Sequence, residues 1–252
     1  MSATLFVLIS LLAPSLRYTM RTANQIACMS NLKQLGLSFS HYAEDWNDFA
    51  PPGSQLNIGA QFYNETNVNV SWDDVLMDYL GYELSDSDKN KSTLKLASHP
   101  NYPQNLHCPA DSVIEAQAGG IRRSYSMSRG KPDPSHINRG MGGRFWSTRF
   151  SDVQDPSLTA LTIETDHHNN VVGKSRYSSF ERQRHLDPTY EGAPNGQSET
   201  FGLHDPGSAN YNYLFVDNHV SYLFLLDTID PEGTIDGHNG VMTINPDDNP
   251  SL

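Results

Sequence analysis

Cysteine is almost absent from this chain: Cys28 and Cys108 are its only two in 252 residues. Neither sits in a Cys-x-x-Cys or other zinc-type spacing, which argues against a zinc finger and against a thioredoxin-like redox motif. At most one disulfide is available. It would tie an N-terminal helix to the first long loop in an oxidising compartment; the alternative is Cys28 as a small apolar residue on a buried helical face. Positive charge is also scarce, with 17 Lys and Arg against 29 Asp and Glu and a net charge of −12. Without a basic surface to neutralise phosphates, nucleic acid is excluded as a partner. No apolar run reaches the ~20 residues needed to cross a bilayer, the nearest being Ala3–Ala13. The glycine pairs at 119–120 and 142–143 do not form a phosphate-binding pattern between strand and helix.

What is present is concentrated at the start. Leu5–Ile9 and Leu11–Ala13 are apolar, and Pro14 is expected to break or kink the pattern. Ser15–Trp46 then contains no proline and a single glycine, Gly36. Within it Cys28, Leu32, Leu35, Phe39, Tyr42 and Trp46 recur at spacings of 4, 3, 4, 3 and 4, one face of a helix. Pro51-Pro52-Gly53 ends any helix. Residues 1–43 carry Arg17, Arg21 and Lys33 and no acid, whereas 227–252 carry six acids and no Lys or Arg. These features predict a helical stalk, residues 1–50, whose far half packs on a globular head, residues 51–252.

The same segment carries a resemblance. Ala27-Cys28-Met29-Ser30-Asn31-Leu32-Lys33-Gln34-Leu35-Gly36-Leu37, then His41-Tyr42-Ala43 and Asp48-Phe49-Ala50-Pro51-Pro52, resembles the pseudopilin-like proteins abundant in planctomycetes. Leu106-His107-Cys108-Pro109-Ala110-Asp111 is similar to that family's Cys-Pro-Ser-Asp element, and Ser124-Tyr125-Ser126-Met127 to its Ser-Tyr-x-Met-Asn strand. Phe215-Val216-Asp217-Asn218-His219-Val220 is similar to its Phe-Ala-Asp-Gly-His-Val hairpin. The resemblance implies a prepilin-type N-terminus and a head ending in a His, nine residues, then Asp-Gly. Two departures stand out. No basic leader, Gly-Phe cleavage point or early glutamate precedes the stalk, so the expected anchor is a truncated one whose true start lies upstream. His204 is separated from Asp217 by twelve residues rather than nine, and Asn218 replaces the glycine.

Further along, Trp72–Tyr82 reads as a short amphipathic helix with Asp73 and Asp74 in its first turn and Gly81 as its stop. Arg122–Met127, Leu158–Thr165, Tyr211–Val216 and His219–Leu226 read as strands. The last two are expected to form a hairpin on a two-residue type I′ turn, Asp217-Asn218, where glycine at 218 would serve at least as well. An apolar fraction of 37% with 18 Gly, 15 Pro and 12 Tyr suits a loop-rich extracytoplasmic head. The predicted class is α+β: a long N-terminal helix packed on an antiparallel sheet, as in pilins, with long irregular loops at 129–147 and 171–203.

Residues capable of chemistry are thinly spread. Asp166, His167, His168, His204, Asp205, Asp217 and His219 offer metal-ligand types, yet adjacent histidines after a strand point to opposite faces. His204, Asp217, Asn218 and His219 are better read as a structural motif that bonds the last hairpin and the loop entering it. Asp227, Asp230, Glu232 and Asp236 place hard oxygen ligands on a turn-rich segment and are a candidate Ca²⁺ set, against the reading of a solvated acidic tail. No other cofactor is implied. The resemblance implies a non-enzymatic pseudopilin-like subunit of a type II secretion or type IV pilus-like filament. It would be anchored in the inner membrane with an extracytoplasmic head, and its partners would be other pilin-like subunits met through the N-terminal helix. The alternative is a surface-displayed module binding carbohydrate or another envelope component; a metal-dependent hydrolase is a third reading.

Overall fold

The computed structural model describes residues 2–61, 67–111, 119–128, 140–143, 145–165, 170–172, 179–180, 203–204 and 210–224, with side chains of residues 2–14 and 179–180 excepted. Helix α1 spans Ser2–Asp45. At 1.5 Å per residue it is about 66 Å long. It runs on through Pro14, so the chain does not break there. The real stop lies before Pro51: Asn47 and Asp48 adopt left-handed backbone (φ 52° and 71°), and the Asp48 N–H returns to the Ala43 carbonyl at 2.8 Å.

The head then alternates short elements: β1 (Ser54–Gln55), β2 (Val70–Ser71), α2 (Trp72–Leu76), α3 (Asp86–Lys89), β3 (Tyr125–Ser128), β4 (Gly142–Gly143), β5 (Trp146–Ser147), β6 (Ala160–Glu164), β7 (Ser179–Phe180), β8 (Asn210–Phe215) and β9 (Val220–Phe224). The expected helix after Trp72 is shorter than its apolar spacing suggested: α2 passes into a 3-10 turn, Asp78–Leu80, closed by Gly81 at φ 75°. The main sheet has the order β7-β3-β6-β8-β9. Its pairs are antiparallel except at the edge, where the two residues of β7 run parallel to β3. The fold is α+β, a long N-terminal helix against a predominantly antiparallel sheet.

The sheet is apolar on both faces. Tyr125, Met127, Leu161 and Leu214 join Cys28, Leu32, Leu35, Phe39 and Tyr42 of α1 in the larger core, which also takes in Trp72, Leu76 and Leu106. Ala160, Ile163, Tyr211, Tyr213 and Phe215 form a second cluster on the opposite face. From Cys28 onward, therefore, the helix is built into the head's core rather than resting on it. Phe39 stacks on Trp72 with centroids 5.5 Å apart.

Trp46, expected on the same buried face, is 56% exposed and stacks on Tyr42. The helix ends one residue before it, and the left-handed turn at 47–48 redirects the chain, so the 3.6-residue period no longer aims that side chain inward. The hairpin turn also differs from the expected one. Of Asp217 and Asn218 only Asn218 has positive φ (68°), and the Asn218 N–H donates to the Phe215 carbonyl at 2.9 Å. A type I′ turn needs two left-handed residues; this is a longer connection closed by one.

Candidate functional site

Three constructions bring chemistry-bearing residues together. The first is a buried polar framework behind α2. Ser71 precedes that helix, and its N–H donates to Asp74 (2.8 Å) while its hydroxyl donates to Asp73 (2.6 Å). The two acids, which do stand in the helix's first turn, are fully buried. Their counter-charge is Arg123, also fully buried, which donates from Nη1 to Asp73 and from Nε and Nη2 to the Asn170 side chain (3.1 and 3.0 Å). Burial pushes the Asp74 carboxyl well above the usual carboxylate range. The neighbouring Asp73 adds to that, while the Ser71 bonds and Arg123 pull it back. Arg122 points elsewhere, donating to Asp111 at 2.7 Å and to the carbonyls of Thr165 and Asn170. Ser124 links that pair to Cys108: its hydroxyl donates to Asp111 (2.7 Å) and accepts the Cys108 N–H (2.9 Å).

The second construction is centred on the cysteines. Cys28 and Cys108 are joined as a disulfide, both fully buried. Against it lies His204, whose Nε2 is 3.8 Å from Cys108 Sγ and 2.9 Å from Glu164 Oε1. Glu164, the last residue of β6, is held by Asn212 of β8: the Asn212 N–H donates to Oε2 (2.7 Å) and the side-chain amide to Oε1 (2.9 Å). The His204 ring packs edge-on to Tyr222 of β9. Its Nδ1 is buried with no hydrogen-bond partner among the described residues, and its Nε2 faces both the Glu164 carboxylate and, at 3.1 Å, the Asn212 side-chain amide. One ligand atom from each of Cys28, Cys108, Glu164 and His204 lies within 4.8 Å of the others. With the sulfurs bonded to each other, this group is a structural lock between helix, sheet and hairpin.

The third is the hairpin turn itself, which docks on α1. The Asn218 side-chain amide donates to the Ser40 hydroxyl at 2.9 Å, across 178 residues. A Cβ on Gly36 would come within 2.5 Å of Asn218 Oδ1, so this helical glycine permits the approach. Asp217 accepts from the N–H and Nδ1 of His219 (3.1 and 2.6 Å), and the His219 ring stacks on Phe215. The set His204, Asp217, Asn218 and His219 is thus divided, His204 serving the core and the other three the turn.

Asp227, Asp230, Glu232 and Asp236, and with them Asp166, His167, His168 and Asp205, lie outside the described residues. Sequence reading missed Arg122, Arg123, Glu164, Asn170 and Asn212. The one available signal was an Arg-Arg pair at the start of a predicted strand. A shallow groove of about 380 Å³ lies on the surface between Pro52, Gln55, Leu56, Phe145, Trp146 and Ser147. Among the described residues no helix is long and apolar enough to cross a membrane. The outer part of α1 leaves Leu16, Tyr18, Met20 and Ile26 more than half exposed.

A family model described as a protein of unknown function (DUF1559) matches residues 19–244. No curated protein and no solved structure matches the chain. The match covers most of the sequence, and the chain belongs to the DUF1559 family.

Proposed function

We propose that this member of the DUF1559 family is a pseudopilin-like structural subunit of a type II secretion or type IV pilus-like envelope filament, without catalytic activity. One observation carries the reading: α1 has two halves of opposite character. From Cys28 to Ala43 one face of the helix (Cys28, Leu32, Leu35, Phe39, Tyr42 and Ala43) is buried in the head, with Leu37 exposed on the other, whereas Leu16 (62% exposed), Tyr18 (74%), Met20 and Ile26 project from the part that extends beyond it. A rod whose base is locked into a head and whose outer half presents unpaired apolar side chains suits packing against the same helix of other subunits. In this reading the apolar tip holds the chain at the inner membrane before assembly, with the head outside. The disulfide fits an oxidising compartment.

The test is to place a photo-crosslinking amino acid at Tyr18, and separately at Lys33 within the docked half, and irradiate cells expressing the chain in its native envelope. Covalent homo-oligomers from position 18 and not from 33, recovered with the inner membrane, support the reading. A monomer at both positions, or a chain recovered wholly outside the envelope fraction, refutes it.

A second reading rests on the groove at Pro52–Leu56 and Phe145–Ser147. Exposed Phe145, beside half-buried Trp146, Gln55 and Ser147, is the kind of aromatic and polar lining that stacks on sugar rings. It favours a surface-displayed carbohydrate-binding module. Loss of binding to envelope polysaccharide on Trp146→Ala, with the fold intact, would support that alternative; equal binding by the variant would remove it.

A further inference from the structure

We propose that the Cys28–Cys108 pair, once reduced, becomes half of a closed Zn²⁺ site completed by His204 and Glu164. The four groups come from α1, the loop before β3, the end of β6 and the residues ahead of β8, and all are buried. Two thiolates, one imidazole and one carboxylate are the donor types zinc takes in a four-coordinate structural site.

The distances suit that coordination. Zn–S bonds of about 2.3 Å and Zn–N bonds of about 2.0 Å imply tetrahedral edges of ~3.5 Å between sulfur and nitrogen. Cys108 Sγ and His204 Nε2 are 3.8 Å apart, and His204 Nε2 and Glu164 Oε1 are 2.9 Å apart. A few tenths of an ångström at each ligand, with separation of the two released sulfurs, opens the centre.

The ligands are also held independently of the covalent bond between the sulfurs. Cys108 is fixed through its N–H to Ser124, and the Cys28 carbonyl accepts from the Tyr125 hydroxyl at 3.4 Å. The Asn31 side-chain amide donates to the His107 carbonyl at 3.0 Å, joining the two neighbourhoods again. Asn212 orients the carboxylate through Oε2, as outer groups commonly orient zinc ligands. Reduction therefore leaves the two thiols facing each other and His204 inside a dry pocket.

The step needs an external dithiol and a later disulfide oxidant. The dithiol gives two electrons and two hydrogens to the Cys28–Cys108 bond and itself becomes a disulfide. Zn²⁺ then displaces one proton from each thiol and takes the Nε2 lone pair of a neutral His204 imidazole whose proton sits on Nδ1, so two protons leave per metal bound. In the reverse direction a disulfide oxidant takes the two electrons, the Cys28–Cys108 bond reforms, and Zn²⁺ departs. The site would hold helix and sheet together in a chain not yet oxidised and give up its metal when the disulfide forms. This inference stands independently of the filament reading.

The experiment uses the full chain, reduced with a water-soluble phosphine and titrated with Co²⁺ as a spectroscopic stand-in, then with Zn²⁺. One equivalent of Co²⁺ should bind with tetrahedral ligand-field bands and a thiolate charge-transfer band that Zn²⁺ abolishes. The oxidised chain should show neither. His204→Ala and Glu164→Gln should each weaken binding by at least about tenfold, and Cys108→Ser should reduce the charge-transfer intensity. An octahedral spectrum, or tetrahedral binding unchanged in both His204→Ala and Glu164→Gln, would overturn the assignment. If reduction alone unfolds the chain, recovery of native circular dichroism on adding Zn²⁺ supports the site, and failure to recover at saturating Zn²⁺ overturns it.

Discussion

Replacing Arg123 with Met tests whether the buried framework behind α2 is held by charge or by shape. Arg123 is fully buried, donates to Asp73, Ser71 and Asn170, and lies 5.7 Å from the centroid of the Trp72 ring. Met nearly conserves the volume and removes the charge. Asp73 and Asp74 then remain side by side in the interior, with oxygens that already lack partners. Breaking one side of a buried ion pair costs about 3–5 kcal/mol, a large share of the 5–15 kcal/mol typical of a folded domain. Arg123→Met should therefore lose about 3–5 kcal/mol at pH 7 in denaturant unfolding followed by tryptophan fluorescence.

The loss should shrink as pH falls. Burial and Asp73 already raise the Asp74 carboxyl, and Arg123 opposes them; without Arg123 it rises further. A carboxyl raised on folding favours the folded state fully below its unfolded value of about 4, and that contribution disappears as pH climbs through the folded value. As pH falls toward that unfolded value the variant thus takes up its proton before the parent does, and the gap narrows. Arg123→Met combined with Asp73→Asn should recover at least half of the loss, because it removes the carboxylate that Arg123 bonds directly and the repulsion that carboxylate exerts on Asp74. A loss below about 1 kcal/mol, a gap that widens on acidification, or a double variant equal to the sum of the singles would refute this account.

Leu35→Asp should destabilise the protein by about 4 kcal/mol or more, since Leu35 is fully buried between helix and sheet and an unpaired carboxylate would enter that core; unchanged thermal unfolding would sink it. Asn218→Gly, which the hairpin pattern alone makes neutral or mildly stabilising, should instead cost about 0.5–1 kcal/mol, because Asn already tolerates the left-handed turn and its amide bonds Ser40; a gain in melting temperature would contradict the docking of turn on helix. Replacing Cys28 and Cys108 together with Ala should cost up to about 4.5 kcal/mol, the loop entropy for a separation of 80 residues. Equal midpoints in guanidinium for the variant and the oxidised parent would show that the bond does not constrain the unfolded chain.

The long helix, its buried face and the last hairpin were legible because each is a local repeat: spacings of 3 and 4 along Cys28–Tyr42, and alternation along Tyr211–Val216. Trp46 shows where that logic stops, since periodicity cannot say that two left-handed residues will turn the chain aside. The interior polar groups were illegible for a different reason. The local pattern places Asp73 and Asp74 only in a helix's first turn, which says nothing of burial; their counter-charge, Arg123, is 50 residues away from Asp73. The surroundings of the cysteines were illegible in the same way. A spacing rule looks for residues close in sequence, whereas His204 meets Cys108 across 96 residues.

The contact between Asn218 and Ser40 has a kinetic consequence. The stretch of helix containing Gly36 and Ser40 finds its seat only when the strand ending at Phe215 is in place, after four-fifths of the chain has been made. Synthesis at roughly 5–20 residues per second would leave that helix face uncovered for about 10–35 s. Such a wide separation between partners also slows the search that closes the core. For tens of seconds, then, a rod with apolar residues on more than one side is available to whatever receives it. Any insertion or capture of α1 by other cellular components has its widest window before the head exists to claim the helix.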